Sequence, residues 1–297
     1  MNLRQHIIDE IVSIFSDHDL YILTGDLGYN LLEPVRDKFP HRFINCGIAE
    51  QNMVSVAAGM AHEGLKVVVY SIAPFVSTRV AEQVKIDSIY GNNPIIILGA
   101  GSGASYGYLG RTHHCHEDLA IMTAIGADVI CPSSNESARQ HIKNAIENYS
   151  GTKYFRLSVG HYSSSRPNTL PERKAYRKAI LASASFRPLL EPLEKDFLTS
   201  GDVIYYFETI SDLSLALDSV QSRPDDIILI DDTKMGYCSA IIKHGAIPTY
   251  VYPEVVDRSE VHNQTQFLSY CITGDEQCFI REDSTKEILQ TMGKYLK

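Results

Sequence analysis

Short apolar runs alternate with longer amphipathic segments along the first 160 residues. The run at 67–70, Val-Val-Val-Tyr, has no polar alternation, which is typical of a strand covered on both faces. Isoleucines and valines before residue 15 recur instead at helical spacing. The two patterns predict strands at 20–23, 42–45, 67–70, 95–98, 128–131 and 153–157, and helices at 50–62, 79–90, 117–125 and from 133. Strict alternation of strand and helix predicts a doubly wound α/β domain with a mostly parallel sheet, in which ligands bind at the carboxyl ends of the strands.

The alternation stops between residues 163 and 200. This segment contains four prolines, a run of three serines and a cluster of basic residues, so we interpret 163–200 as a linker. It separates a first domain, residues 1–162, from a smaller α/β domain, residues 201–297, with strands at 203–207, 227–231 and 249–252 and helices at 212–220 and 237–244. A nucleic-acid-binding patch is a weaker interpretation of the basic cluster, because stacking aromatics at regular spacing are missing.

Composition and charge narrow the classes of function. Of 297 residues, 44% are hydrophobic and 21% charged, and the net charge of −9 argues against a protein that grips a phosphate backbone. No apolar run approaches the roughly 20 residues that span a bilayer. Six scattered cysteines without a CxxC pair are typical of free thiols in a reducing compartment. We therefore expect a cytoplasmic protein that binds neither nucleic acid nor membrane.

Four motifs lie where predicted strands end. They read Thr-Gly-Asp-Leu-Gly at 24–28, Gly-Ile-Ala-Glu-Gln at 47–51, Ala-Pro-Phe at 73–75 and Gly-Arg-Thr-His-His at 110–114. In this order and spacing they resemble the pyrimidine-binding domain of transketolase-type thiamine diphosphate enzymes, over about residues 1–160. The resemblance implies that residues 1–162 form the pyrimidine-binding domain and that residues 201–297 form a transketolase C-terminal-like domain.

Glu50 is the central candidate for a functional residue. It begins the helix predicted at 50–62, where a carboxylate complements the helix dipole. The resemblance implies a catalytic and cofactor-binding role, in which the protonated carboxyl group donates a hydrogen bond to the pyrimidine ring of thiamine diphosphate. A carboxyl group keeps its proton best in an apolar setting, because desolvation disfavours the charged form. Ile48, Met53 and Val54 are expected to provide that setting.

The resemblance implies further cofactor-binding residues. Phe75 matches the aromatic residue that stacks on the pyrimidine, and Ile48 lies two residues before Glu50. Asp26 ends the first strand, at a place where the family keeps an acid near the cofactor. A role for Asp26 as a turn residue or helix cap is an equal alternative.

His113 matches the family histidine that contacts the hydroxyls of the sugar donor and takes part in catalysis. An imidazole that titrates near neutrality suits hydrogen bonding and proton transfer. His114 beside it is a further substrate-binding candidate, at a position where transketolases usually carry Gln. The run His-His-Cys-His at 113–116 also raises the possibility of zinc. Since consecutive side chains cannot all converge on one ion, we expect no metal site in this chain.

The family's substrate-binding positions are only partly kept. Leu109 stands where members that handle sugar phosphates use Asp for a substrate hydroxyl, and Val159 stands where they use Arg for the phosphate. Arg4 matches an N-terminal phosphate-binding arginine, with Arg79 or Arg156 as alternatives. Because phosphate sites depend on charge-assisted hydrogen bonds, we expect an acceptor other than an ordinary sugar phosphate.

Half of the cofactor site is missing from the chain. The motif Gly-Asp-Gly, with which the family binds the diphosphate through Mg²⁺, does not occur. Since Mg²⁺ requires oxygen ligands, we expect a separate N-terminal diphosphate-binding subunit to supply them in an α2β2 assembly.

The resemblance is thus to the C-terminal subunit of a split transketolase, which transfers a two-carbon ketol unit from a ketose to an aldehyde. Two alternatives stay open. One is a deoxyxylulose phosphate synthase-like or 2-oxoacid dehydrogenase β-like subunit, and the other is a noncatalytic scaffold of the same fold.

Overall fold

A six-stranded parallel sheet organises the first half of the chain. The computed structural model describes residues 3–103, 105–106, 109–158, 168–191, 194–222, 227–230 and 249–251. The strand order is β2-β1-β3-β4-β6-β5. The strands are β1 (Leu20–Thr24), β2 (Phe43–Asn45), β3 (Lys66–Ile72), β4 (Ile96–Ala100), β5 (Asp128–Ile130) and β6 (Lys153–Leu157). All six lie at or within two residues of the predicted positions, and the predicted parallel pairing is confirmed.

Helices cover both faces of this sheet. They are α1 (Leu3–Ile14), α2 (Glu33–Lys38), α3 (Glu50–His62), α4 (Ala81–Gln83), α5 (Asp118–Ile125) and α6 (Asn135–Glu147), and a π-helix over Val84–Tyr90 follows α4. Val68 of β3 packs with α1 and α6 in one apolar cluster, and its neighbours Val67 and Val69 pack with α3 and α5 in another. Successive side chains of a strand point to opposite faces. The doubly wound α/β architecture predicted from the sequence is therefore confirmed.

A second, smaller sheet follows, with strand order β10-β9-β7-β8 and only parallel pairs. Its strands are β7 (Lys178–Ser183), β8 (Asp202–Phe207), β9 (Ile227–Ile230) and β10 (Thr249–Val251), and its helices are α7 (Arg187–Leu190), α8 (Glu194–Phe197) and α9 (Ile210–Ser219). Three strands and α9 agree with the sequence prediction. The helix predicted at 237–244 lies outside the described residues.

Strand β7 corrects part of the linker prediction. It lies inside the segment 163–200, yet it pairs with both β8 and β9 and its Ile180 and Leu181 are fully buried. Four apolar residues, Ala179 to Ala182, make up the core of this strand, and the prolines and basic residues around them dominated the sequence pattern. Residues 178–183 therefore belong to the second sheet, while the domain boundaries themselves stay a prediction.

A buried polar cluster connects the two sheets. Glu208, directly after β8, accepts hydrogen bonds from the backbone N–H of Ser133 at 2.9 Å and from Nε2 of His141 at 2.6 Å. The hydroxyl of Ser133 also donates to this carboxylate and accepts from Nη1 of Arg187 at 3.1 Å. The second sheet is thereby held against β5 and α6 of the first. None of the helices in the described ranges combines the length and the apolar character that crossing a bilayer would require.

Candidate active site at the carboxyl edge of the first sheet

Glu50 lies where the strand order of the first sheet reverses. The chain runs from β1 outward to β2 and then returns to β3 on the other side of β1, and doubly wound sheets bind ligands at such a switch point. Gly47, with φ +71°, turns the chain into α3, which begins at Glu50. Glu50 is only 2% exposed, and Ser71 near the end of β3 donates a long hydrogen bond of 3.4 Å to its Oε1. The buried carboxylate thus sits against the ends of β1 and β3.

The glycine after β1 makes room for this carboxylate. A Cβ atom at Gly25 would lie 3.3 Å from both Cγ and Oε1 of Glu50. Such contacts are tighter than the ordinary van der Waals separation of roughly 3.5–4 Å between heavy atoms. Glycine at position 25 therefore allows Glu50 to pack directly on the end of the strand.

Arg79 covers the carboxylate from the solvent side. Its Nη1 donates to Oε2 of Glu50 at 2.6 Å, and its guanidinium carbon lies 4.0 Å from the centroid of the Phe75 ring. The Arg79 side chain is 41% exposed, whereas that of Glu50 is buried. A guanidinium over an aromatic face gains cation–π attraction in addition to the ion pair. Arg79 thus contacts both residues that the sequence assigned to the pyrimidine.

His113 borders the same group from the loop after β4. It ends a short 3-10 turn, Arg111–His113, and its ring meets the Phe75 ring edge-on with 5.4 Å between centroids. Its Nδ1 shares a hydrogen bond of 2.9 Å with the hydroxyl of Thr112. The structure therefore brings Glu50, Phe75, Arg79 and His113 together, as a continuous row of contacts at one edge of the sheet.

Asp26 lies at the end of β1 in a tight turn. Its φ of +58° is in the left-handed region, its backbone N–H donates to Oδ1 of Asn45 at 3.1 Å, and its own Oδ1 accepts from Asn45 Nδ2 at 2.9 Å and from the Tyr29 hydroxyl at 3.2 Å. No helix begins beside it among the described residues, since α2 begins at Glu33. The geometry favours a turn role over a helix cap, and a cofactor role for Asp26 stays a prediction.

Ile48 does not contribute to a buried apolar setting for Glu50. Its side chain is 81% exposed, whereas Met53 and Val54 are fully buried within α3. The reason is local: Ile48 lies in the turn between Gly47 and the start of α3, outside the helix face that packs on the sheet. Ile48 is instead an exposed apolar side chain at the rim of the site.

A cavity of about 440 Å³ opens at the ends of β1 and β3, lined by residues other than Glu50, Phe75, Arg79 and His113. Arg4 of α1 lines it and donates from Nη1 to the hydroxyl of Tyr106 at 3.0 Å. Nε of Arg4 is buried and has no hydrogen-bond partner within the described part of the chain. The other lining residues include Tyr29, Asn30 and Tyr70. A half-buried cation surrounded by hydroxyl and amide groups is suited to binding an anion.

Two further substrate-binding candidates, Arg156 and His114, are buried side chains. Arg156, predicted as a substrate-binding alternative, is buried and donates from Nε to Oδ1 of Asp118 at 3.0 Å and from Nη1 to the Ser185 hydroxyl at 3.1 Å. These partners favour a structural role for Arg156 between the two sheets, and its substrate-binding role stays a prediction. His114 is also buried, with its ring centroid 6.2 Å from that of His116.

The histidine run does not assemble a metal-type cluster. Across the ranges that the structure describes, no group of three His, Cys, Asp or Glu side chains is placed to hold an ion.

Several parts of the site were not predicted from the sequence. Ser71, the close packing of Gly25 on Glu50 and the tyrosines around Arg4 were missed, and Arg79 was assigned to substrate although it pairs with Glu50. A glycine directly after a buried strand was the one available signal, since it often marks a close approach. The remaining contacts join residues far apart in the chain, which periodicity does not register.

The fold places this chain in the doubly wound α/β class, whose members bind ligands at the switch point where Glu50 lies. The sequence profile of the family described as "Transketolase, pyrimidine binding domain" matches residues 11–164. The chain therefore belongs to that family.

Similar proteins carry related names. The chain is 44% identical over 127 residues, 42% of its length, to an apulose-4-phosphate transketolase subunit of Actinobacillus succinogenes, of which this match covers 40%. It is 33% identical over 140 residues, 47% of its length, to "Putative transketolase C-terminal section" of Methanocaldococcus jannaschii, of which 44% is covered. The matched region thus spans less than half the length of these curated relatives.

A solved structure shares the fold of the whole chain. "Split gene transketolase, inactive beta4 tetramer" superimposes with a TM-score of 0.73 over 100% of this chain and 98% of the other, at 18% sequence identity. At that identity the similarity concerns the fold alone.

Proposed function

We propose that this chain is the pyrimidine-binding subunit of a cytoplasmic, thiamine diphosphate-dependent transketolase-type enzyme. The enzyme transfers a two-carbon ketol unit from a ketose to an aldehyde acceptor, and a separate diphosphate-binding subunit completes it in an α2β2 assembly. The observation that carries the proposal is the buried carboxylate of Glu50 at the switch point. A single side chain, that of Arg79, separates this carboxylate from the ring of Phe75. The family match and the relatives named as a transketolase subunit and as a C-terminal section support a division into two chains.

The residues of the site fit an aminopyrimidine ring. Glu50 offers a carboxyl group to a ring nitrogen, Gly25 lets that carboxyl group pack on the end of β1, and Phe75 offers an aromatic face for stacking. Thiamine diphosphate, when bound, supplies the carbanion chemistry that cleaves and forms the carbon–carbon bond. The protein's own contribution is to orient the ring and to hold a proton at its nitrogen.

Each residue has a separate task in this proposal. Glu50 in its protonated form donates its O–H to the ring nitrogen, Phe75 fixes the plane of the ring, and Asp26 and Ile48 border it. His113, half-buried beside Phe75, hydrogen-bonds substrate hydroxyls and moves a proton during the transfer. Because the chain has no Gly-Asp-Gly motif, the diphosphate and its Mg²⁺ are held mainly by the partner subunit.

The cavity around Arg4 gives the substrate proposal a specific form. We infer that a phosphate group on a sugar substrate binds at Arg4, with the tyrosine hydroxyls as further donors. The name of the relative from Actinobacillus succinogenes includes a phosphorylated sugar. This assignment favours Arg4 of α1 over Arg156, which pairs with Asp118. Val159 lies outside the described residues, and an acceptor other than an ordinary sugar phosphate stays a prediction.

The test is reconstitution with the product of the neighbouring gene, followed by cofactor titration and a ketol-transfer assay with phosphorylated and unphosphorylated aldehydes. Glu50→Gln keeps the size of the side chain but has no acidic proton. We expect it to lower kcat by about 10²–10⁴-fold, with an unchanged circular dichroism spectrum. The matched control is Glu63→Gln, an exposed glutamate directly after the same helix, which should keep wild-type activity.

Two outcomes would contradict the proposal. Wild-type turnover by the Glu50→Gln enzyme would reject the assigned mechanism and favour a scaffold role. Robust ketol transfer by the isolated chain would reject the need for a second subunit.

A further inference from the structure

Arg79 makes the same two contacts that the proposed function assigns to the aminopyrimidine. It donates to Oε2 of Glu50 at 2.6 Å, and it stacks on Phe75 at 4.0 Å. A guanidinium is planar and delocalised, with N–H donors in its plane and a face that stacks on aromatic rings. In shape and in hydrogen bonding it is the side chain most similar to a flat heterocycle with a ring N–H edge.

The guanidinium of Arg79 and a pyrimidine ring cannot both occupy the position between Glu50 and the face of Phe75. Stacked planar groups lie roughly 3.5–4 Å apart, so the 4.0 Å between Arg79 and Phe75 leaves no room for a second ring between them. The other carboxylate oxygen of Glu50, Oε1, lies against Ser71 and Gly25. Both oxygens are therefore engaged while Arg79 is in place.

The two side chains of the Arg79–Glu50 ion pair differ in exposure, and Arg79 is the one that has room to move. Glu50 is 2% exposed and fixed at the start of α3, whereas the Arg79 side chain is 41% exposed. Ion pairs between two exposed side chains contribute little net stability, but Glu50 is buried, so its carboxyl group needs a new hydrogen-bonding partner when Arg79 leaves. Within the described residues, Glu50 is the only carboxylate that pairs with Arg79.

We propose that Arg79 is a displaceable occupant of the pyrimidine site, an inference that rests on the proposed function of Glu50 and Phe75. In the chain without cofactor it neutralises the buried carboxylate and covers the aromatic face. The side chain has to swing outward before a pyrimidine can stack on Phe75. The measured affinity for a pyrimidine is then the intrinsic affinity reduced by the fraction of molecules in which Arg79 has left.

The test uses the full chain and a cofactor fragment, 4-amino-5-hydroxymethyl-2-methylpyrimidine, with binding measured by isothermal titration calorimetry. Arg79→Met keeps the length of the side chain but removes the charge and the planar donor. We expect it to bind the fragment about tenfold more tightly than wild type, as it would if roughly a tenth of wild-type molecules have an open site. Arg79→Lys, which pairs with Glu50 but cannot stack as a plane, should give a smaller gain.

The matched control is Arg36→Met. Arg36 is also half-exposed and paired with a carboxylate, that of Asp37, and this variant should bind the fragment as wild type does. Adding Phe75→Ala to Arg79→Met should abolish the gain, because the fragment then loses its stacking surface.

Equal or weaker binding by Arg79→Met, including no measurable binding by either protein, would overturn the displacement proposal. A gain that survives Phe75→Ala would overturn it as well, since the fragment would then bind elsewhere. The outcome is independent of the Glu50→Gln assay. Loss of turnover in that assay without a gain in Arg79→Met leaves the proposed function intact and rejects only the displacement.

Discussion

Gly25 controls how closely the carboxyl group of Glu50, the proposed catalytic group, approaches the sheet. It follows β1 directly, and a side chain there would begin 3.3 Å from Oε1 of Glu50. Since positioning errors of about 1 Å can cost roughly 10²-fold in rate, a small displacement of Glu50 has a measurable effect. The glycine is thus a positioning residue for a carboxyl group that belongs to a different element.

We expect Gly25→Ala to lower kcat of the reconstituted enzyme by about tenfold, because Glu50 must shift by a few tenths of an ångström. KM and thermal stability should change little. The control is Gly59→Ala in α3, where an added Cβ meets nothing within 4 Å. Equal kcat values for wild type and Gly25→Ala would show that the carboxylate tolerates the extra methyl group.

Arg4, which lines the cavity at the ends of β1 and β3, is the residue proposed to bind the substrate phosphate. We expect Arg4→Met to raise KM for a phosphorylated substrate by roughly 10–100-fold, the effect of losing charge-assisted hydrogen bonds of about 1.5–3 kcal/mol. KM for an unphosphorylated analogue should stay the same, since that analogue has no anion to bind. A parallel rise for both substrates would assign Arg4 to the structure of α1 instead of to the phosphate.

At the scale of elements, the periodic pattern of the sequence predicted the helices and strands better than it predicted the contacts between side chains. Helix α3 spans the residues predicted for it, because its apolar positions keep one helical face on the sheet. Strand β7 was missed since six residues between basic and proline-rich stretches carry little periodic signal. The π-helix at Val84–Tyr90 likewise looks like an ordinary helix in sequence.

Side-chain partners were the least predictable part of the site. Arg79 and Arg156 were both assigned to substrate, yet they pair with Glu50 and Asp118, which lie 29 and 38 residues away in the chain. Such pairs depend on which strands become neighbours and not on local pattern. The motifs identified the candidate site residues Glu50, Phe75 and His113, whereas the groups that surround them required the fold.

At the scale of the whole molecule, the cluster around Glu208 joins the two sheets. Burial opposes ionisation of this carboxyl group, but the hydrogen bond and charge of His141 and the hydrogen bonds from Ser133 outweigh it and lower the pKa of Glu208 below its usual value. A carboxyl group whose pKa is lower in the folded state stabilises the fold above its unfolded pKa. That stabilisation is lost as the pH falls through the lower, folded pKa.

We expect Glu208→Gln to lower the free energy of unfolding by about 3 kcal/mol at pH 7, because it breaks a buried hydrogen-bonded pair. The difference from wild type should shrink as the pH is lowered through the folded pKa of Glu208, where the wild-type carboxyl group is itself protonated. Urea unfolding at a series of pH values measures both effects. Glu172→Gln, which removes an exposed ion pair with Lys174, serves as the control, and a constant difference at every pH would contradict the assignment.

The parallel pairing of the first sheet has a consequence for how the protein is made. Parallel neighbours cannot be joined by a tight hairpin and need a long crossover. Strand β1 therefore pairs with β3 only after Lys66–Ile72 has been synthesised, and β4 pairs with β6 only after Lys153–Leu157 has been synthesised. In a nascent chain on the ribosome, the β4 edge, which is internal in the finished sheet, therefore stays unpaired until about residue 157 has emerged. Such edges are sites of misassembly, so we expect co-expression of a chaperone that captures the nascent chain to improve the yield of native protein.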